Sequence, residues 1–108
     1  MRISNTNEFW NLLDDDDKKE EVKELVVNEN SCEDIKDDLE ISGFKNLEKI
    51  VFKKGCLQNL NSLKICGNEN LKFIEVGDSV FCNVQNIIME SNIVFNCIIS
   101  IFLIYNHS

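Results

Sequence analysis

Residues 39–62 can be laid over residues 63–86 without a gap. Leu39 then falls on Leu63, Ile41 on Ile65, Gly43 on Gly67, Asn46 on Asn70, Leu47 on Leu71, Ile50 on Ile74 and Asn59 on Asn83, seven identities in 24 positions. Phe52 over Val76, Leu57 over Phe81 and Leu60 over Val84 keep their apolar character. A further copy begins at Ile87 and Met89 and has Ile98 where Ile50 and Ile74 stood. A fixed period in the twenties constrains the fold more than any local signal, because each unit must bury its apolar face against the next copy. The chain has 15 Asn and 13 Ile but no Ala and no Pro, a bias that resembles AT-rich coding. Such bias raises chance identity but sets no register.

Within the period, apolar residues recur as short apolar-x-apolar triplets. They are Leu25–Val27, Leu39–Ile41, Ile50–Phe52, Leu63–Ile65, Ile74–Val76, Ile87–Met89 and Ile98–Ser100, with starts 14, 11, 13, 11, 13 and 11 residues apart. In an extended chain i and i+2 share a face, so each triplet predicts a very short strand with two side chains inward. A helix would need i, i+3, i+4 spacing, and the β-branched content opposes it. Eleven residues are too few for a full circuit of a core, whereas 24 suffice with a strand on each side. The spacing therefore predicts a mainly β fold, a flattened coil with two narrow parallel sheets. The 39/63/87 strands stack in one sheet and the 25/50/74/98 strands in the other, each about 4.8 Å from its copy.

The triplets sit in a longer pattern. Val22, Leu25, Val27, Asn30 and Cys32 fill the template L-x-x-L-x-L-x-x-N-x-L/C. Leu47, Ile50, Phe52, Gly55 and Leu57 follow it with Gly in the Asn slot, and Leu71, Ile74, Val76, Ser79 and Phe81 with Ser there. Phe95, Ile98, Ser100, Leu103 and Tyr105 form the last copy. The half-units Leu60-Leu63-Ile65-Asn68 and Val84-Ile87-Met89-Asn92 fit its first part. From Val22 to Tyr105 the chain thus resembles leucine-rich repeat proteins, closest to the divergent protist-type and BspA-like repeats of about 24 residues. The resemblance implies a leucine-rich-repeat-like β-solenoid with two short parallel strands per 24-residue repeat. It also implies a non-enzymatic protein–protein interaction or scaffold module. The implied layout is an acidic N-terminal segment at 1–24, a solenoid at 25–105 and a frayed end at 106–108. Within the solenoid the repeats are 39–62, 63–86 and 87–105, with a partial repeat at 22–38.

Stacked repeats need a polar cap at an exposed end. The segment "SNTNEFWNLLDDDDKKEEVKEL" predicts a short helix near Asn7–Leu13 and another over Asp15–Leu25, the alternative being a partly disordered acidic lead-in. Phe9, Trp10, Leu12 and Leu13 form its apolar cluster, with Trp10 on the first coil. At the other end, Ile93 to Tyr105 is apolar apart from Asn96, Cys97 and Ser100, and has no charge, Gly or Pro. It is too short for a ~20-residue membrane span. It predicts an uncapped last coil with an apolar edge suited to self-association. The alternatives for the whole chain are membrane association through this segment, or a truncated piece of a longer repeat protein.

Charge narrows the partners. Of the net −8, Met1–Glu40 holds 14 acidic and 5 basic side chains and Ile41–Ser108 holds 5 acidic and 6 basic, −9 against +1. No basic footprint for nucleic acid is present. The five cysteines, Cys32, Cys56, Cys66, Cys82 and Cys97, form no C-x-x-C pair, and one His, His107, cannot complete a metal set. They read as buried small hydrophobes in a reducing, cytoplasmic compartment. The only His, next to the C-terminus, is badly placed for Cys–His catalysis. The run "DDDDKKEE" lacks the alternating oxygens of an EF-hand, and the four glycines are not gathered in a phosphate loop. No catalytic, cofactor or metal residue is therefore assigned. The outward positions are Glu40, Lys64 and Ile88 in one sheet and Val26, Val51, Glu75 and Ile99 in the other. The second column is unusually apolar for a solvated face, and Val26, Val51, Glu75 and Ile99 are the candidate protein-binding residues.

Overall fold

Alternation of apolar and polar residues over four or five positions, rich in Ile and Val, gives strands, and the chain folds as a series of them. The computed structural model describes residues 1–89 and the backbone of the strand Val94–Cys97. The elements are β1 (Arg2–Ile3), α1 (Thr6–Leu13), α2 (Asp16–Glu21), β2 (Glu24–Val27), β3 (Asp38–Ser42), β4 (Lys49–Phe52), β5 (Ser62–Cys66), β6 (Phe73–Val76), β7 (Asn86–Met89) and β8 (Val94–Cys97). They make a small α/β domain of two parallel sheets with two short helices. One sheet has the order β1-β2-β4-β6-β8 and the other β3-β5-β7, so consecutive strands from β2 onward alternate between sheets.

The pairing follows the sequence period. Leu39 is the register partner of Leu63 and Leu63 of Ile87, both 24 residues on. In the other sheet Leu25 pairs with Ile50, a step of 25 that absorbs the extra residue after Cys32, and Ile50 pairs with Ile74, a step of 24. Inward residues Leu25, Val27, Ile50, Phe52, Ile74 and Val76 share one core with Leu39, Ile41, Leu63, Ile65, Ile87 and Met89. None is more than 5% exposed. Each such side chain contributes about 1.5–3 kcal/mol of apolar burial. The turns are buried at matching positions too: Val22, Leu47 and Leu71 before the strands, and Cys32, Leu57 and Phe81 after them.

The last step departs from the period. Phe95, not Ile98, is the register partner of Ile74, 21 residues on, and the expected strand Ile98–Ser100 lies outside the described residues. Ile93–Tyr105 is apolar almost throughout, so alternation there does not single out one register. A second departure is β1, which extends the first sheet beside β2 through Arg2↔Val26 and Ile3↔Val27. Two residues carry no readable alternation.

The turns explain why the Asn slot of the pattern accepts other residues. Asn30, Gly55 and Ser79 have φ of 54°, 73° and 60°. The slot is a left-handed backbone position, which Gly takes freely and Asn tolerates. Two residues later Cys32, Leu57 and Phe81 also have positive φ, 59°, 52° and 59°. A bulky L-residue there costs about 1–2 kcal/mol, and burial in the core holds it in place. The Phe81 ring meets Phe52 edge-on with centroids 4.9 Å apart. Just after β6, Gly77 is needed for closeness instead. A Cβ on it would come within 2.9 Å of the Lys54 backbone nitrogen in the neighbouring turn.

Asparagines tie successive turns together. Asn46 Nδ2 donates to the Glu20 carbonyl at 2.7 Å, and Asn70 to Lys45 at 2.6 Å. Asn59 donates to the Glu33 carbonyl at 2.9 Å, and Asn83 to Gln58 at 3.0 Å and to Asn59 Oδ1 at 3.2 Å. These are two of the identical pairs in the sequence alignment. Backbone bonds continue between turns, from Asn61 N–H to Asp37 and from Gln85 N–H to Asn61, at 3.2 and 2.7 Å.

At the N-terminal end, Asn5 begins α1 by accepting from Glu8 N–H at 2.9 Å, and Glu8 Oε1 accepts from Ser4 N–H at 2.8 Å. Phe9 and Leu12 enter the core and Leu13 packs beside it. Trp10 does not join them and is 38% exposed. Positions 9, 12 and 13 share a helix face, whereas residue 10 is turned about 100° from residue 9. Among the described residues no helix is long and apolar enough to cross a membrane.

Candidate binding surface

Because successive side chains on a strand point to opposite faces, burying one set in the core sends the other outward. On the five-stranded sheet the outward column runs Val26, Val51, Glu75, with Arg2 in register on one side and Asn96 on the other. Asn96, not Ile99, is thus the register partner of Glu75, and Ile99 lies outside the described residues. Val26 and Val51 are only 7% and 8% exposed. The neighbouring column, Glu24, Lys49 and Phe73, is polar or exposed. Lys49 Nζ reaches Glu75 Oε1 at 3.6 Å, with both side chains about half exposed. What the sheet offers outward is therefore a charged pair and Phe73, which is 50% exposed, rather than the two valines. Val51 and Glu75 meet in a shallow cleft of about 380 Å³ that also takes in Glu29, Lys53, Lys54 and Gly77. A second cleft of about 510 Å³ on the same face is lined by Glu48, Lys49, Lys72, Phe73, Ile74 and Glu75.

The three-stranded sheet presents Glu40, Lys64 and Ile88 in one outward column and Asp38, Ser62 and Asn86 in the next. Asp38 Oδ1 accepts from Asn61 Nδ2 at 3.0 Å and Ser62 Oγ at 2.7 Å. Those two bonds favour the carboxylate and hold its pKa below the usual value. A hollow of about 310 Å³ lies over these two columns.

A third cleft, about 460 Å³ and mostly polar, lies where the start of α1 meets the turn after β2, between Ser4–Asn7 and Asn30–Asp34. Thr6 Oγ1 donates to Asp34 across it. Cys32 lines it, but burial pushes that thiol upward. Cys56 is pushed up to about 12, by burial first and by Cys32 second. Both are protonated at neutral pH and are poor nucleophiles and ligands. Among the described residues no group of three or more His, Cys, Asp or Glu side chains is placed to hold a metal ion.

Phe73 carries no site signal in the sequence, and Asn68 only its place at the end of a half-unit. Phe73 falls at an outward strand position, and only the alternation of β6 marks it. Asn68 is 3% exposed. Its Oδ1 accepts from Phe44 N–H at 3.0 Å and its Nδ2 donates to the Ile41 carbonyl at 3.0 Å. It belongs to a half-unit of the repeat pattern, which was the available signal. Comparison of the chain with models of known protein families, with curated proteins and with solved structures finds no match.

Proposed function

We propose that the chain is a non-enzymatic protein-binding module, a leucine-rich-repeat-like solenoid of 24-residue turns closed at its N-terminal end by α1. The observation that carries this reading is the register, with Leu39, Leu63 and Ile87 side by side at steps of 24. Residues that recur point inward or close turns, while Val51 and Glu75 or Glu40 and Lys64 differ at the same outward register. A scaffold in which the invariant part is internal leaves its faces free to vary with a partner. The outer face of the five-stranded sheet is the preferred contact, through Glu75, Lys49 and Phe73, with Val26 and Val51 on the same face. The partner is a protein. A reducing, cytoplasmic setting suits the module, since Cys32, Cys56, Cys66 and Cys82 are all free. Only Cys32 and Cys56 are buried as expected, Cys66 being half-buried and Cys82 exposed.

A charge swap tests the contact without breaking the ion pair on that face. The double variant Lys49→Glu/Glu75→Lys keeps the diagonal ion pair but inverts its charges toward a partner. Proteins cross-linked to the wild type in cells and lost with the swapped variant, at equal folding by circular dichroism, would support the reading. Identical partners for both, or none for either, would sink it.

A further inference from the structure

The two helices at the N-terminal end are held by different forces. α1 sinks Phe9 and Leu12 into the core, whereas α2 has the sequence Asp-Asp-Lys-Lys-Glu-Glu and no buried residue. A six-residue helix is below the length at which helix formation sustains itself, so α2 depends on what it touches. The polar contacts converge on Lys19. Its Nζ donates to the Ser42 carbonyl at 3.1 Å and lies 5.4 Å from the centroid of the Phe44 ring. The Lys19 side chain is only 13% exposed, while its acidic neighbour Asp16, 3.9 Å away, is almost fully exposed. Further ties are Asn46 Nδ2 to the Glu20 carbonyl, the exposed pair Lys45–Glu20 at 3.6 Å, contacts with α1, and the buried Val22 that caps the helix at its end. An exposed pair contributes little. Phe44 needs none of this to stay in place, because its ring is in the core and its N–H is fixed by Asn68.

We propose that α2 is a latch: a polar helix that opens and closes as a unit over the Ser42–Phe44 corner, with the Lys19 ammonium as its catch and both sheets unchanged. Opening exposes no apolar residue of α2 itself, so its cost is a few polar bonds and the cover over one edge of the Phe44 ring. Closed, Lys19 occupies the Ser42 carbonyl at the end of β3, the terminal strand of its sheet, and lies over the Phe44 ring. Open, that carbonyl and that ring edge are presented to solvent. The device is independent of the partner proposed above and concerns only the N-terminal end.

Amide hydrogen exchange on the full chain tests it. In the wild type, the amides of Lys19 and Val22, which bond to Asp15 and Lys19 carbonyls, should exchange far faster than those of Ile50–Phe52. Lys19→Gln should speed the α2 amides a further ~10-fold, as loss of a charged hydrogen bond would, and leave Ile50–Phe52 unchanged. Lys19→Arg, which keeps a cation over the ring, should restore the wild-type rates. Equal protection of α2 and β4 in the wild type overturns the proposal without any variant. So does a Lys19→Gln variant that speeds all amides alike, or none.

Discussion

Asn30, Gly55 and Ser79 share one left-handed backbone position, and of the three residues Ser suits it least. Ser79→Gly should therefore raise stability by about 0.5–1 kcal/mol in urea denaturation, although it removes a hydroxyl and adds no contact. Asn68 should be the costliest polar residue to truncate. Asn68→Ala leaves the Ile41 carbonyl and the Phe44 N–H without their partner in the core, a loss of about 2–4 kcal/mol. Asp38 gives a pH signature. Its pKa is lowered in the folded protein, so its contribution is present above the unfolded value of about 3.9 and is lost as pH falls through the folded one. The stability difference between wild type and Asp38→Asn should be constant above about pH 5 and shrink in more acid solution. A difference that grows on acidification would contradict the assignment. None of these roles is readable from residue type. Asn46, Asn59, Asn68, Asn70 and Asn83 all look alike in a chain rich in Asn, and only the step of 24 separates the paired ones from the rest.

Among the elements, β2 to β7 were legible because each buries two alternating apolar residues, and the period says which strand pairs with which. β1 was not, since Arg2–Ile3 is too short to alternate, and its place depends on the edge that β2 leaves open. β8 was placed in the wrong register, with Phe95 where Ile98 was expected, because a uniformly apolar segment pairs almost equally well in several registers. The helix expected over Asp15–Leu25 ends at Glu21, and Leu25 belongs to β2 instead. In α1 the pattern located the helix but not its orientation, and Trp10 went to the wrong face. That distinction gives a paired prediction. Phe9→Ala should destabilise the protein by about 3–4 kcal/mol and Trp10→Ala by less than about 1, measured by thermal or urea unfolding. Comparable losses would mean that α1 is rotated from the position described here. The candidate surface was legible only in outline: alternation places Val26, Val51 and Glu75 outward, but only the packed structure shows the valines covered and Phe73 exposed.

At the scale of the whole molecule, one rule organises the described residues: what lies beside a residue in space is the residue about 24 positions along the chain. The acidic N-terminal segment, the asparagine bonds between turns and the left-handed turn columns all follow that spacing. Through-hydrogen-bond scalar couplings in isotopically labelled protein test the rule directly. Couplings are expected from Asn61 N–H to the Asp37 carbonyl and from Gln85 N–H to the Asn61 carbonyl, both 24 residues apart. Couplings that instead join Leu25–Val27 to Leu39–Ile41, as an antiparallel hairpin of neighbouring strands would, contradict it.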